Sequence, residues 1–209
     1  MTIVLGEKNY PVTIFYRSKK RIILRFKDGQ FIVSMPKRTS QTWLRTQLQQ
    51  HGEKLIKKVT SIPAPFNEGG MYFYGEWMTY TTLAKQLGLT SSLPFSYQEI
   101  SWQTLKEYFK DGLIQRVQFW QKRLDILTSY QVRVRHMATR LGSNSRKTKR
   151  LTFAYKLVHF AWPIIDAVIV HELIHDRQFD HSPRFYQALT SAYPAYHLEH
   201  GKILKGQYR

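Results

Sequence analysis

The sequence predicts an α+β fold: an N-terminal antiparallel β-rich part with one helix, then a small domain built around a buried helix. Three observations predict it. Short β-rich runs separated by turn signals fill the first 36 residues. Apolar side chains at steps of three and four mark long helices further on. The stretch 164–179 is apolar nearly all round, the pattern of a helix buried on every side.

The elements follow in order. Val12, Ile14 and Tyr16 alternate with Thr13, Phe15 and Arg17, and RIILRF (21–26) and FIVSM (31–35) are two further strands. Between these two lies Lys27-Asp28-Gly29-Gln30, whose Asp-Gly pair is a hairpin signal. Pro36 ends the second run because it has no N–H for a ladder. Ser40 suits the cap of a helix over 40–60 that carries Trp43, Leu44, Leu48 and Leu55. Residues 61–70, rich in Pro and Gly, read as a loop, and MYFYGEWMTYTT as two short strands around Gly75. Leu105, Phe109, Leu113, Val117, Trp120, Leu124 and Leu127 predict an amphipathic helix over 103–127. A strand over 132–136, a basic segment at 140–150 and a β-like run, LTFAYKL, complete the approach to the apolar helix. The chain accordingly divides into a β-rich region, 1–90, and a second domain, 100–209.

Composition narrows the chemistry. With 209 residues and 43% hydrophobic side chains the chain buries an ordinary core. It has no cysteine, which excludes disulfide scaffolds, Cys-ligated zinc, iron–sulfur clusters and thiol catalysis. Any metal must be held by His, Asp or Glu. No apolar run reaches the roughly 18–20 residues of a membrane span, and MTIVLGEKNY has no secretory pattern, so a cytoplasmic location is expected. The net charge of +18 is uneven. Residues 1–65 carry 13 basic and 3 acidic side chains, residues 66–130 six of each, and residues 131–209 carry 13 and 5. Arg146, Lys147, Lys149 and Arg150 form the densest run, a candidate polyanion contact or simply a solvated loop.

The chemistry concentrates in His171-Glu172-Leu173-Ile174-His175. Four residues advance a helix by about 400° and roughly 6 Å, so both imidazoles leave one face. That spacing suits two nitrogen ligands on one Zn²⁺. Glu172 is rotated by about 100° from His171, where it can activate a zinc-bound water instead of ligating. Given the His and Glu content, such a pentapeptide arises by chance roughly 0.01 times. Satisfied core histidines are the alternative, but three ionisable groups in an apolar helix are costly without a partner. A catalytic zinc commonly takes a third protein ligand. His181 follows in a turn where Ser182 suits an N-cap and Pro183 a first helical position. His197 and His200 are rivals for that third place, and Asp166, Asp176 and Asp180 are candidates to orient the imidazoles.

From about Val132 onward the chain resembles the YgjP-like metal-dependent hydrolases, relatives of the SprT-like zinc metallopeptidases. The parts that carry the resemblance are Leu141-Gly142-Ser143-Asn144, Pro163, Ile165-Asp166-Ala167-Val168, His171 to His175, and Asp180-His181-Ser182-Pro183-Arg184-Phe185. YRSKKRIILRF, the Pro36 turn and GEWMTY are also similar. The resemblance implies a zincin-like catalytic domain, His171, His175 and His181 as zinc ligands, and Glu172 as the catalytic acid/base. Leu141 and Asn144 depart from the Trp and Cys of the family pattern.

The leading expectation is a zinc-dependent hydrolase acting as a metallopeptidase on a peptide or protein, one Zn²⁺ per chain. The strand at 132–136 is a candidate to hold the substrate by edge pairing. Arg184, Tyr186, Tyr193 and His197 are candidates to contact substrate or stabilise an oxyanion. The alternatives are a metal-dependent nucleoside triphosphate hydrolase, which the resemblance also implies, and a nucleic-acid-associated protease suited to the basic surface. A structural metal site without turnover is a further alternative, for which Glu172 has no use.

Overall fold

In the computed structural model, which describes residues 1–18, 21–60, 63–89, 100, 102–137 and 139–209, Asp28 and Gly29 have left-handed φ values of 49° and 75°. Those values make the two-residue turn that the Asp-Gly pair predicts. It joins β3 (Ile23–Lys27) to β4 (Gln30–Met35). With β1 (Thr2–Leu5) and β2 (Lys8–Tyr16) they form a sheet of order β1-β2-β4-β3. The β1–β2 and β3–β4 pairings are antiparallel, while β2 and β4 run parallel from Val12↔Phe31 to Tyr16↔Met35. β3 folds back before β4 begins, so β4 returns in the direction of β2. Alternate residues Phe31, Val33 and Met35 face inward, as the period of two requires. They meet Leu44 and Leu48, one turn apart on α1 (Gln41–Thr60). This unit is Met1–Pro63.

The second unit is Ala64–Arg209. A small sheet pairs β5 (Phe66–Asn67), β6 (Gly70–Phe73) and β7 (Glu76–Thr79), turning at Tyr74 and Gly75 with φ 49° and 84°. A Cβ on Gly75 would stand 2.7 Å from the Tyr208 carbonyl oxygen, so only glycine fits. α2 (Tyr80–Gln86) and α3 (Trp102–Arg123) follow. Leu105, Phe109, Leu113, Val117 and Trp120 of α3 are buried, as their spacing predicts. The helix nevertheless stops short of 127, because the chain turns at Asp125 (φ 54°) and leaves Leu127 98% exposed. Residues 61–62 and 90–99, in the loop and inter-region stretches of the sequence reading, lie outside the described residues.

A second sheet has the order β8-β10-β9, from β8 (Gln131–Arg135), β9 (Gly142–Ser145) and β10 (Arg150–Ala154). β10 pairs with β8 in parallel and with β9 antiparallel. β9 falls in the segment read from sequence only as basic. A 3₁₀ turn at Tyr155–His159 leads into α4 (Trp162–Ile174), with Pro163 in its first turn. α4 is packed by α3, β9, α5 (Pro183–Ala192) and α6 (Tyr196–Lys205), which explains its apolar circumference. Its end comes at Ile174, not 179, with His175 as the C-cap. Asp166, buried within it, accepts two hydrogen bonds from the Arg116 guanidinium of α3. Among the described residues no helix is long and apolar enough to cross a membrane.

His159 offers a test of this packing. It is buried, its Nδ1–H donates to the Tyr72 carbonyl at 2.9 Å, and burial lowers its pKa. A histidine kept neutral in the fold contributes stability that is complete above its unfolded pKa and is lost as pH falls below it. His159→Gln lacks that loss. Between pH 7 and pH 5 the wild type is therefore expected to lose more melting temperature than this variant. The excess should be roughly 2–4 °C per kcal/mol of linkage in a chain of this size. Parallel melting curves for the two proteins would count against the buried neutral imidazole.

Candidate metal centre

His171 lies in the last turn of α4 and His175 caps it, so both imidazoles project from one face. The chain then tightens, Asp176, Arg177 and Gln178 donating backbone N–H groups to Leu173 and Ile174. Ser182 is the N-cap of α5 and Pro183 lies in its first turn. This reversal carries His181 back across the metal face, its Nε2 3.1 Å from that of His171. One nitrogen from each of the three histidines lies within 4.8 Å of the others.

Phe185 supplies the backing. It is fully buried, with its ring centroid 4.9, 4.7 and 4.8 Å from those of His171, His175 and His181. No metal-ligand pattern marks Phe185 in the sequence, although it closes the Asp180–Phe185 segment of the resemblance. The far sides of two imidazoles are fixed as well. His175 Nδ1–H donates to the Gln178 carbonyl at 2.9 Å, and His171 Nδ1 pairs with the Tyr196 hydroxyl at 3.1 Å. A carbonyl only accepts, so Nε2 of His175 carries the free lone pair.

The donor set fits a divalent metal. Two ligands of a tetrahedral zinc at about 2.0–2.1 Å stand about 3.3 Å apart, close to the His171–His181 separation of 3.1 Å. Burial first, and then the neighbouring histidines, lower the pKa of His171 to about 3. Burial also lowers that of His175. Neutral imidazoles are what a metal requires.

Glu172 is 6% exposed, and burial raises its carboxyl pKa to about 7, against a hydrogen bond from Asn144 and the charge of Arg140. Its space comes from Gly142 on β9, where a Cβ would stand 2.6 Å from Glu172 Oε1. The Asn144 side chain donates to the Glu172 backbone carbonyl at 2.8 Å and to the Tyr130 hydroxyl at 3.0 Å. Tyr130 in turn donates to Asp176 at 2.6 Å. Thus Asn144 ties β9 to the end of α4.

The other candidates divide. Tyr186 lies beside the trio, its ring 6.3 Å from His181 and stacked 6.4 Å from His197. Arg184 is exposed on the first turn of α5. His200 stacks on Tyr196 at 5.2 Å, behind His171. Tyr193 lies elsewhere: its hydroxyl donates to the Pro163 carbonyl at 2.9 Å, at the opposite end of α4. Asp166 and Asp176 bond Arg116 and Tyr130, while the partners on the imidazoles are Tyr196 and Gln178. Asp166 precedes His171 by five residues, about 140° round the helix from it. Asp180 is exposed. Within the basic run, Arg146 covers the Phe179 ring and Arg150 donates to Gln131 at 3.0 Å. Lys147 and Lys149 are exposed in the turn between β9 and β10.

The chain matches the family described as YgjP-like, metallopeptidase domain, over residues 20–207. It is similar to the crystal structure of the metallopeptidase zymogen jannalysin of Methanocaldococcus jannaschii at 24% identity and a TM-score of 0.41, over 44% of this chain and 94% of that one. It is also similar to the metallopeptidase zymogen abylysin of Pyrococcus abyssi at 17% identity and a TM-score of 0.42, over 46% and 96%. No curated protein matches. With a family match spanning nearly the whole sequence, the chain belongs to the YgjP-like metallopeptidase-domain family and is a metal-dependent hydrolase.

Proposed function

We propose that this chain is a zinc-dependent peptidase, with the metal on His171, His175 and His181 and proton transfer by Glu172. The observation that carries the reading is the convergence of three imidazoles on one point beside a buried carboxyl group. Three nitrogen donors with a fourth position left open suit zinc. A zinc ion held there supplies a Lewis acid for the scissile carbonyl and lowers the pKa of a coordinated water towards 7. Glu172 takes a proton at its carboxylate from the water that attacks the carbonyl carbon. It then gives that proton to the departing amine nitrogen as the C–N bond breaks. Burial favours the protonated form of Glu172 more than in an exposed carboxylate, which helps it take the proton from the water.

β9 supports the peptide as substrate. Among the described residues it has one sheet neighbour, β10, so its other edge, apart from the Asn144 N–H that bonds the Glu172 carboxyl, is open to an extended chain. β8 is also an edge strand, but β9 is the one that touches Glu172. The purified protein is expected to carry one zinc per chain and to cleave an unfolded protein such as casein. Chelation should stop the cleavage and added zinc restore it, while His181→Ala should lose both metal and cleavage. Cleavage that persists in chelator, or a preparation that takes up no stoichiometric metal, overturns the reading.

A further inference from the structure

β9 leads from the metal centre into the basic segment. Gly142 stands against Glu172, and Arg146 follows directly after the last residue of the strand. The Arg146 guanidinium carbon lies 3.5 Å from the centroid of the Phe179 ring. Phe179 in turn stacks on His175, with centroids 6.5 Å apart and planes 28° apart. Guanidinium, phenyl and imidazole form one stack, whose innermost ring belongs to a proposed metal ligand. The two outer members are exposed. Among the described residues no carboxylate forms an ion pair with Arg146, and Asp176 on this side is engaged by Tyr130.

A guanidinium that lays its face on an aromatic ring keeps its edge N–H donors free. Those edge donors match a carboxylate in bidentate geometry. The surplus of 13 basic over 5 acidic side chains in residues 131–209 favours an acidic segment approaching this face. We propose that Arg146, seated on Phe179, selects substrates by taking the carboxylate of an acidic side chain on the peptide that lies along β9. The proposal rests on the peptidase reading above and names its substrate class. Gly142 and Arg146 are separated by about 13 Å of extended chain, which places the acidic residue three or four positions from the bond that is cut.

The test uses full-length, zinc-loaded Glu172→Gln protein and short labelled peptides that carry Glu or its isostere Gln at each position in turn. At one position Glu is expected to bind about 5-fold tighter than Gln, equivalent to about 1 kcal/mol. The gap should close in the Arg146→Gln double variant, return in part with Arg146→Lys, and shrink as salt rises. Equal binding of Glu and Gln peptides at every position, or a gap that survives Arg146→Gln, overturns the proposal. Cleavage of the same peptides by wild-type protein is read separately. Selective binding without cleavage sinks the peptidase reading and leaves the subsite standing, and cleavage without selectivity does the reverse.

Discussion

Replacing Glu172 by Gln is expected to lower kcat/KM for peptide cleavage by about 10³-fold, within the 10²–10⁴ range of general acid–base catalysis. The zinc content should remain one per chain. Gln fills the same space against Gly142 and differs only in being unable to accept and return the proton. The group of side chains able to share a metal comprises the three histidines and not Glu172, so the ligands survive the change. Among the described residues, three other acids of this unit are held by their own partners. Asp166 pairs with Arg116, Asp176 accepts from Tyr130, and Glu199 pairs with Lys202. Zinc content and kcat/KM measured on the same preparation separate the possibilities. Near wild-type turnover means that Glu172 does not carry the proton, and loss of zinc means that it is a ligand.

Much of this site is legible in the sequence because its geometry is local. The His171–His175 spacing puts two imidazoles on one face through helix periodicity alone, and Ser182-Pro183 marks the reversal that returns His181. The Asp28-Gly29 turn is written in residues that tolerate positive φ. What is not legible depends on partners far along the chain. β9 reads Gly-Ser-Asn-Ser, without a β-branched or aromatic residue, and is a strand only because β10 pairs with it. Tyr196 reaches His171 from 25 residues away. An apolar run continues to look helical, so the sequence predicts α4 as far as Phe179. The chain leaves the helix at His175, whose ring bonds the Gln178 carbonyl. Leu127 continues the α3 stripe in spacing alone, since the left-handed turn at Asp125 has already redirected the chain. Asn144 departs from the family's Cys, yet its amide makes two hydrogen bonds that tie the strand to the metal helix.

Gly142→Ala is expected to cost about 10²-fold in kcat/KM while fold and zinc are kept. The added Cβ would stand 2.6, 2.7 and 2.9 Å from Oε1, Cγ and Cδ of Glu172, closer than real contacts allow. Something must move, and the surroundings decide what. β9 is held by its ladder to β10, with Gly142 opposite Phe153, and α4 is packed from every side. Neither backbone yields readily. The Glu172 side chain does, within a pocket that leaves it 6% exposed. A displacement of the order of 1 Å at a reacting group costs about 10²-fold in rate. Stability should change little, because Gly142 lies outside the left-handed region. Alanine there also restricts the unfolded chain, worth about 0.4–1 kcal/mol. A drop of ten degrees in melting temperature would show that the backbone takes up the clash instead. The decisive measurement is the double variant. If Gly142 acts only by placing the Glu172 carboxylate, adding Gly142→Ala to Glu172→Gln should cost almost nothing further, since both changes remove the same function. A full further 10²-fold loss in that background would mean that Gly142 serves the substrate directly, through the free edge of β9.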